Sequence, residues 1–159
     1  MVALKTTLPD EQATLALGAA LGRALEPGLV IYLSGELGAG KTTLARGLLR
    51  TLGHQGAVKS PTYTLVEVYE VSRLHLHHFD FYRFRDPREW IDAGFRESFN
   101  GRTVSLIEWP ERAAGHLPPA DLQIALALLG TGRSAELTSS TTAGQKCLAR
   151  LEGHLRTSS

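Results

Sequence analysis

Gly35-Glu36-Leu37-Gly38-Ala39-Gly40-Lys41-Thr42 fills the spacing G-x-x-x-x-G-K-[ST] without a mismatch. That spacing is the P-loop, and its chemistry is the binding of a dense negative charge. Backbone N–H groups from Leu37, Gly38, Ala39, Gly40, Lys41 and Thr42 can cradle phosphate oxygens once Gly38 and Gly40 turn them inward. Glycine tolerates both the strained turn and the close approach of a ligand. Lys41 would reach the β and γ oxygens of a nucleoside triphosphate, and the Thr42 hydroxyl would take Mg²⁺. Thr43, the next helical residue, would face the α-phosphate side rather than the metal.

A magnesium site of this kind also needs a carboxylate at the end of a neighbouring strand. Two residues have that form. Glu108 follows Val104-Ser105-Leu106-Ile107, and Asp80 follows Leu76-His77-His78-Phe79. One would serve the metal and the other the attacking water, and the residue pattern alone does not divide the roles. Ser60-Pro61-Thr62 occupies the loop where many P-loop NTPases sense the γ-phosphate, a reading evenly matched with simple turn chemistry. His75 and His77 share one strand face but have no third ligand in view, so a solvated face is expected. Arg83, Arg85 and Arg88 make a basic patch that reads first as a solvated helix entry and second as a phosphate or RNA contact. Trp109 reads first as a core residue, with a place beside the nucleotide or a partner as the alternative. No Asn-Lys-x-Asp and no Asp-x-x-Gly occurs, which turns the expected ligand from GTP to ATP.

These residues need elements to hold them. Leu29-Val30-Ile31-Tyr32-Leu33 reads as a buried strand entering the glycine loop. Thr42 to Arg50 continues as a helix, with Leu44, Leu48 and Leu49 at helical spacing and a stop near Leu52-Gly53. Upstream, Leu8-Pro9-Asp10-Glu11-Gln12 opens a helix that Pro27-Gly28 closes. Downstream, Tyr63–Val71 and Leu74–Tyr82, separated by Ser72 and Arg73, read as an antiparallel hairpin. Asp86-Pro87 starts a helix that carries Trp90 and Ile91 inward and ends at Gly94. Thr103–Glu108 is a buried strand stopped by Pro110, and Glu111 to Pro119 is an irregular crossing. Asp121–Leu129 reads as a strand with helix as an alternative, Arg133–Ser139 as an edge strand, and Thr142–Leu151 as a final helix. The expected fold is a single α/β domain spanning 1–159, a P-loop NTPase whose mixed parallel and antiparallel sheet is flanked by helices.

Composition agrees with that class. The chain has 159 residues, 43% hydrophobic and 21% charged, enough for one core without cross-links. A formal net charge of +1 argues against non-specific nucleic-acid binding, so DNA is not an expected partner. The single cysteine, Cys147, excludes a disulfide within the chain. The start lacks the plan of a signal peptide, and no run approaches the ~18 apolar residues of a membrane span. The expected location is the cytoplasm, away from membranes.

Four ordered blocks carry a family resemblance. They are Gly35 to Thr43, Ser60-Pro61-Thr62-Tyr63-Thr64-Leu65-Val66, His78-Phe79-Asp80-Phe81-Tyr82-Arg83 with Asp86-Pro87, and Leu106-Ile107-Glu108-Trp109-Pro110-Glu111. Together they resemble the TsaE (formerly YjeE) family, bacterial ATPases of the tRNA threonylcarbamoyladenosine pathway. The likeness runs from Leu8 to the terminal helix. It implies slow ATP hydrolysis by the protein alone and work with the TsaD–TsaB heterodimer, with tRNA met only through that complex. ATP hydrolysis would reset the complex between turnovers. It further implies that Lys41 holds phosphates, Thr42 and Glu108 hold Mg²⁺, Asp80 assists hydrolysis and Trp109 lies close by. Asp10, Glu11 and Arg133 would flank the adenine of ATP or ADP. Glu36 stands where the family often has Asp, and Phe81 where Leu is common; both lie outside the phosphate-contacting positions.

Two other classes compete: a small-molecule P-loop kinase, and a nucleotide-dependent binding module with negligible turnover. A kinase needs an arginine-bearing lid, for which Arg83 to Arg88 is a short candidate. The Ser60–Thr62 loop and the Asp80–Arg88 segment are the expected partner surface. The motif roles make two mutational expectations. Lys41→Ala weakens nucleotide binding by removing the main charged contact to phosphate. Glu108→Ala impairs hydrolysis more than binding, because metal placement matters most in the transition state. Titration calorimetry beside a phosphate-release assay checks both, and near-normal turnover in Glu108→Ala would refute the metal assignment.

Overall fold

The apolar run before the glycine loop has no polar face, so it must be covered on both sides, and the chain is layered around it. In the computed structural model, which describes residues 2–71, 74–86, 88–89 and 95–157, this run becomes strand β2 (Val30–Ser34). The other strands are β1 (Val2–Leu8), β3 (Val66–Val71), β4 (Leu74–Asp80), β5 (Thr103–Glu108), β6 (Leu122–Leu129) and β7 (Gly132–Ser139). The described α-helices are α1 (Glu11–Ala24), α2 (Lys41–Thr51) and α3 (Thr142–Thr157), and short 3-10 turns occupy Phe95–Ser98 and Pro110–Ala113.

All seven strands form one sheet in the order β1-β7-β6-β2-β5-β4-β3. The centre is parallel: β6, β2, β5 and β4 run together, with Leu33 beside Glu108 and Asp80 beside Glu108 in register. The flanks are antiparallel, β3 on β4 at one side and β6 on β7 on β1 at the other. All six residues of β5 are buried, as a central strand covered on both faces requires.

Pleating divides the core. Ile31, Leu33, Leu76, Val104, Leu106, Leu122 and Ile124 face the helices and join Leu17, Leu21, Leu44, Leu48, Leu148 and Leu151. Val30, Phe79 and Ile107 point the other way, onto Phe81, Phe84 and Ala113. Among the described residues all three α-helices therefore lie on one face, and loops and 3-10 turns cover the centre of the other. Each fully buried Leu or Ile contributes about 1.5–3 kcal/mol of hydrophobic stabilisation.

Several sequence expectations change. Residues 2–8 are a strand that takes in Leu8, expected to open a helix, and β1 pairs along its whole length with β7. The segment expected at the edge, Arg133–Ser139, is therefore internal, between β6 and β1. β6 is a strand because Leu122, Ile124 and Leu126 are buried while Gln123, Ala125 and Ala127 are exposed, a period of two that a helix cannot satisfy. Helix α1 ends at Ala24, before Pro27-Gly28, and α3 runs on to Thr157. The first hairpin strand starts at Val66 because Leu65 turns into the left-handed region at φ 69. Pro87, Trp90, Ile91 and Gly94 of the helix expected after Asp86, and the Ser72–Arg73 turn, lie outside the described residues. Cys147 is buried, which pushes its thiol up to about 11.

Helices α1 and α2 approach at glycines. A Cβ on Gly18 would stand 2.1 Å from the Leu44 carbonyl oxygen, and one on Gly47 would stand 2.3 Å from that of Leu15. Backbone cannot yield as a side-chain tip can. Gly47→Ala should cost about 1–3 kcal/mol through overpacking, despite the better helix propensity of alanine. Gly153→Ala on α3, where a Cβ meets nothing within 4 Å, should instead gain up to about 1 kcal/mol. Urea unfolding midpoints read both signs.

Candidate nucleotide site

The P-loop leaves the C-terminal end of β2, where open α/β sheets bind ligands. Gly35, Gly38 and Gly40 take φ values of 154, 83 and 105°, and the last is the N-cap of α2 with no side chain capping it. The first amides of α2 are thus oriented toward an anion, with the positive helix end behind them. A Cβ on Gly38 would meet nothing within 4 Å, so that side of the loop is open. Leu37 is 70% exposed at the tip. Ala39 is buried, and its N–H donates to the Glu36 carbonyl at 3.0 Å.

Lys41 is only 6% exposed, and its ammonium is held inside the protein. Nζ donates to the Gly35 carbonyl at 2.6 Å, stands 3.7 Å from Glu108 Oε1, and lies 4.3 Å from the centroid of the Trp109 ring. Glu108 is 2% exposed, and its other oxygen, Oε2, is 2.6 Å from His78 Nε2. Asp80, one strand further, is equally buried. Its Oδ2 accepts from the Ser60 and Thr62 hydroxyls at 3.0 Å each, and Oδ1 accepts from the Tyr82 N–H at 2.8 Å.

Backbone strain collects around these carboxylates. Among the described residues two non-glycine positions have positive φ, Leu65 and Trp109. The Leu65 carbonyl accepts the Asp80 N–H at 3.0 Å, and Trp109 directly follows Glu108. A left-handed residue with a Cβ costs about 1–2 kcal/mol, so the surroundings must hold it. Trp109 is held by Lys41 on its ring and by the Tyr82 ring, 5.0 Å between centroids.

On the β7 side of the P-loop opens a cleft of about 380 Å³ lined by Asp10, Glu11, Thr14, Gly38, Gly40, Thr42, Thr43, Thr131, Gly132 and Arg133. Register makes it. Leu8 pairs with Arg133, which brings the start of α1 beside the β6–β7 turn. Arg133 Nε donates to the Gly38 carbonyl at 3.1 Å and so ties that turn to the P-loop. Asp10 N-caps α1 through the Ala13 N–H at 2.8 Å, and Glu11 pairs with Arg46 at 3.7 Å. The structure therefore gathers Lys41, Glu108 and Trp109 by direct contact, with Asp80 the register partner of Glu108, while Asp10, Glu11, Thr42, Thr43 and Arg133 line the adjoining cleft.

Sequence reasoning missed His78, Thr14 and Thr131. The signal for His78 was present: period-two alternation puts it on the face of Asp80, opposite His75 and His77. His75 is exposed and pairs with Glu70 at 3.6 Å, and burial followed by the charge of His75 lowers the pKa of His77. Arg83, Arg85, Arg112, Tyr82 and Glu89 line a separate surface depression of about 520 Å³, and Arg83 stacks on Tyr63 at 5.0 Å. Arg88 pairs with Asp86 at 2.8 Å.

The family model described as "Threonylcarbamoyl adenosine biosynthesis protein TsaE" matches residues 8–135. The chain belongs to the TsaE family. The Haemophilus influenzae relative, a tRNA threonylcarbamoyladenosine biosynthesis protein TsaE, is 42% identical over 94% of this chain and 98% of its own. The Bacillus subtilis TsaE protein is 40% identical over 79% of this chain and 77% of its own. The crystal structure of Bacillus subtilis YdiB superposes with a TM-score of 0.83 at 30% identity, covering 96% of each chain. This TsaE-family chain carries its P-loop, both strand-end carboxylates and Arg133 inside the matched span. Among its described residues no helix is long and apolar enough to cross a membrane.

Asp80 accepts hydrogen bonds from three partners, two of them in the loop before β3. Asp80→Ala should lower stability by about 1–3 kcal/mol and speed proteolysis within residues 57–65, because that loop loses its buried acceptor. Denaturant unfolding and limited proteolysis with mass mapping measure the two effects.

Proposed function

We propose that this chain is a Mg²⁺-dependent ATP hydrolase of tRNA threonylcarbamoyladenosine biosynthesis, acting in the cytoplasm as an accessory to the TsaD–TsaB pair. The observation that carries the reading is Lys41. Its ammonium is gathered at the mouth of a glycine cradle and faces a buried strand-end carboxylate, an arrangement suited to a phosphate arriving between them. Family membership supports the pathway.

The donor set fits the metal. Mg²⁺ in nucleotide sites takes one or two protein oxygens together with phosphate and water. Thr42 Oγ1 and Glu108 would supply the protein's share, both hard oxygen ligands. When bound, Mg²⁺ would neutralise charge on the transferring phosphoryl group. The rest falls to the chain. Lys41 leaves the Gly35 carbonyl and Glu108 Oε1 for the β and γ oxygens. The amides of Leu37, Gly38, Gly40, Lys41 and Thr42, with the N-terminal end of α2 behind them, hold the phosphates, while the Ala39 N–H stays on the Glu36 carbonyl. Asp80 accepts the proton of the attacking water on a carboxylate oxygen, while Ser60 and Thr62, already bonded to it, register the presence of the γ-phosphate. The cleft bounded by Asp10, Glu11 and Arg133 takes the adenosine.

Phosphate release from ATP by the purified protein tests this, with and without TsaD–TsaB. Slow turnover alone, stimulation by the pair, and complete loss when Mg²⁺ is chelated are expected. Phosphate transfer to a small acceptor would favour a kinase, and nucleotide binding without turnover in either condition would reduce the protein to a binding module. Either result overturns the proposal.

A further inference from the structure

His78 has no exposed surface, yet it carries two nitrogens that must be accounted for. Nε2 lies 2.6 Å from Glu108 Oε2, and Nδ1 is buried with no hydrogen-bond partner among the described residues. A buried donor without an acceptor is rarer and costlier than a bare lone pair. The proton therefore belongs on Nε2, donated to the carboxylate. His78 and Asp80 alternate on the same face of β4, and Asp80 is the register partner of Glu108 on β5. The imidazole thus reaches the carboxylate from the adjoining strand, one pleat deeper than Asp80.

The two oxygens of Glu108 are consequently unlike. Oε2 is fixed from inside the protein, and Oε1 faces Lys41 at 3.7 Å. If Lys41 turns to a phosphate, Glu108 loses its cation and keeps the His78 N–H. A carboxylate on a three-bond side chain with one anchored oxygen presents the other in one direction only.

We propose that His78 is the positioning residue of Glu108: its Nε2–H pins Oε2 so that Oε1 is presented to the metal-nucleotide side of the site. This rests on the hydrolase reading above. Donors behind a metal-binding group commonly set its affinity and activity, and their loss costs about 10- to 100-fold.

The test compares two variants that both bury an amide. His78→Gln can place an N–H about where Nε2 stands; His78→Asn places it about where Nδ1 stands and falls short of Glu108. Binding of ADP and of a non-hydrolysable ATP analogue is measured by calorimetry with Mg²⁺ and with chelator, beside kcat and KM. His78→Asn should bind metal-free nucleotide like the parent but lose about 10- to 100-fold of the affinity gained from Mg²⁺ and a similar factor in kcat. His78→Gln should recover most of both. Equal behaviour of the two variants, or a full Mg²⁺ effect in His78→Asn, overturns the proposal. Should both fail to fold, ¹⁵N NMR of the imidazole in the nucleotide-free parent decides: a protected Nε2–H is expected, and a proton on Nδ1 overturns it. A parent whose nucleotide binding ignores Mg²⁺ overturns the hydrolase reading and the metal role with it, an outcome distinct from a failure of the hydrogen bond.

Discussion

A buried ammonium is the constraint on which this structure turns. Lys41 is 6% exposed, and a cation removed from water must be met by charge and by acceptors or it will not stay. The Gly35 carbonyl, Glu108 and the face of Trp109 meet it. Each belongs to a different part of the fold: the glycine loop, the end of β5 and the strained residue beyond it. Leaving either charge of such a buried pair alone costs about 3–5 kcal/mol. The sheet end, the loop and the turn after β5 are therefore held to one geometry by the same interaction.

That interaction is also poised. Lys41 is engaged by groups that a phosphate could replace, and Glu108 has a second anchor in His78 that is independent of the lysine. Asp80 is arranged differently, with three donors from the Ser60–Thr62 loop and Tyr82 around it. One carboxylate is tied to the core and the other to a mostly exposed loop. The left-handed residues Leu65 and Trp109 sit beside Asp80 and Glu108 respectively, so the strain in the described backbone is placed where a ligand could draw on it.

Much of the fold was legible because its signals are local. The glycine spacing, the apolar run of β2, the wholly buried β5 and the acidic opening of α1 at Asp10 and Glu11 each depend on a few consecutive residues. The strand β1 was not legible. Val2-Ala3-Leu4-Lys5-Thr6-Thr7-Leu8 alternates only weakly, and its reason to be a strand is the β7 backbone beside it. Arg133–Ser139 reads as an edge for the same reason: the strand that covers it, β1, has no strong local signal. The placing of all three described α-helices on one face was also hidden, since the contacts that settle it join residues far apart, as at Gly18 with Leu44 and Gly47 with Leu15.

For the site, the sequence by itself determined the parts: a glycine cradle, a lysine, a hydroxyl, and two carboxylates that end apolar strands. Those follow from residue type and spacing, because the cradle closes within eight residues and strand ends carry acidic groups into solvent or a site. Only the tertiary structure decided how they meet. Parallel register set Asp80 beside Glu108, the β1–β7 pairing brought Asp10 and Glu11 to Arg133, and a pleat on the neighbouring strand put His78 against Glu108. Such contacts span tens of residues of chain and are fixed by which strand lies next to which. No window of sequence contains that adjacency, because it exists only once the whole sheet has chosen its order.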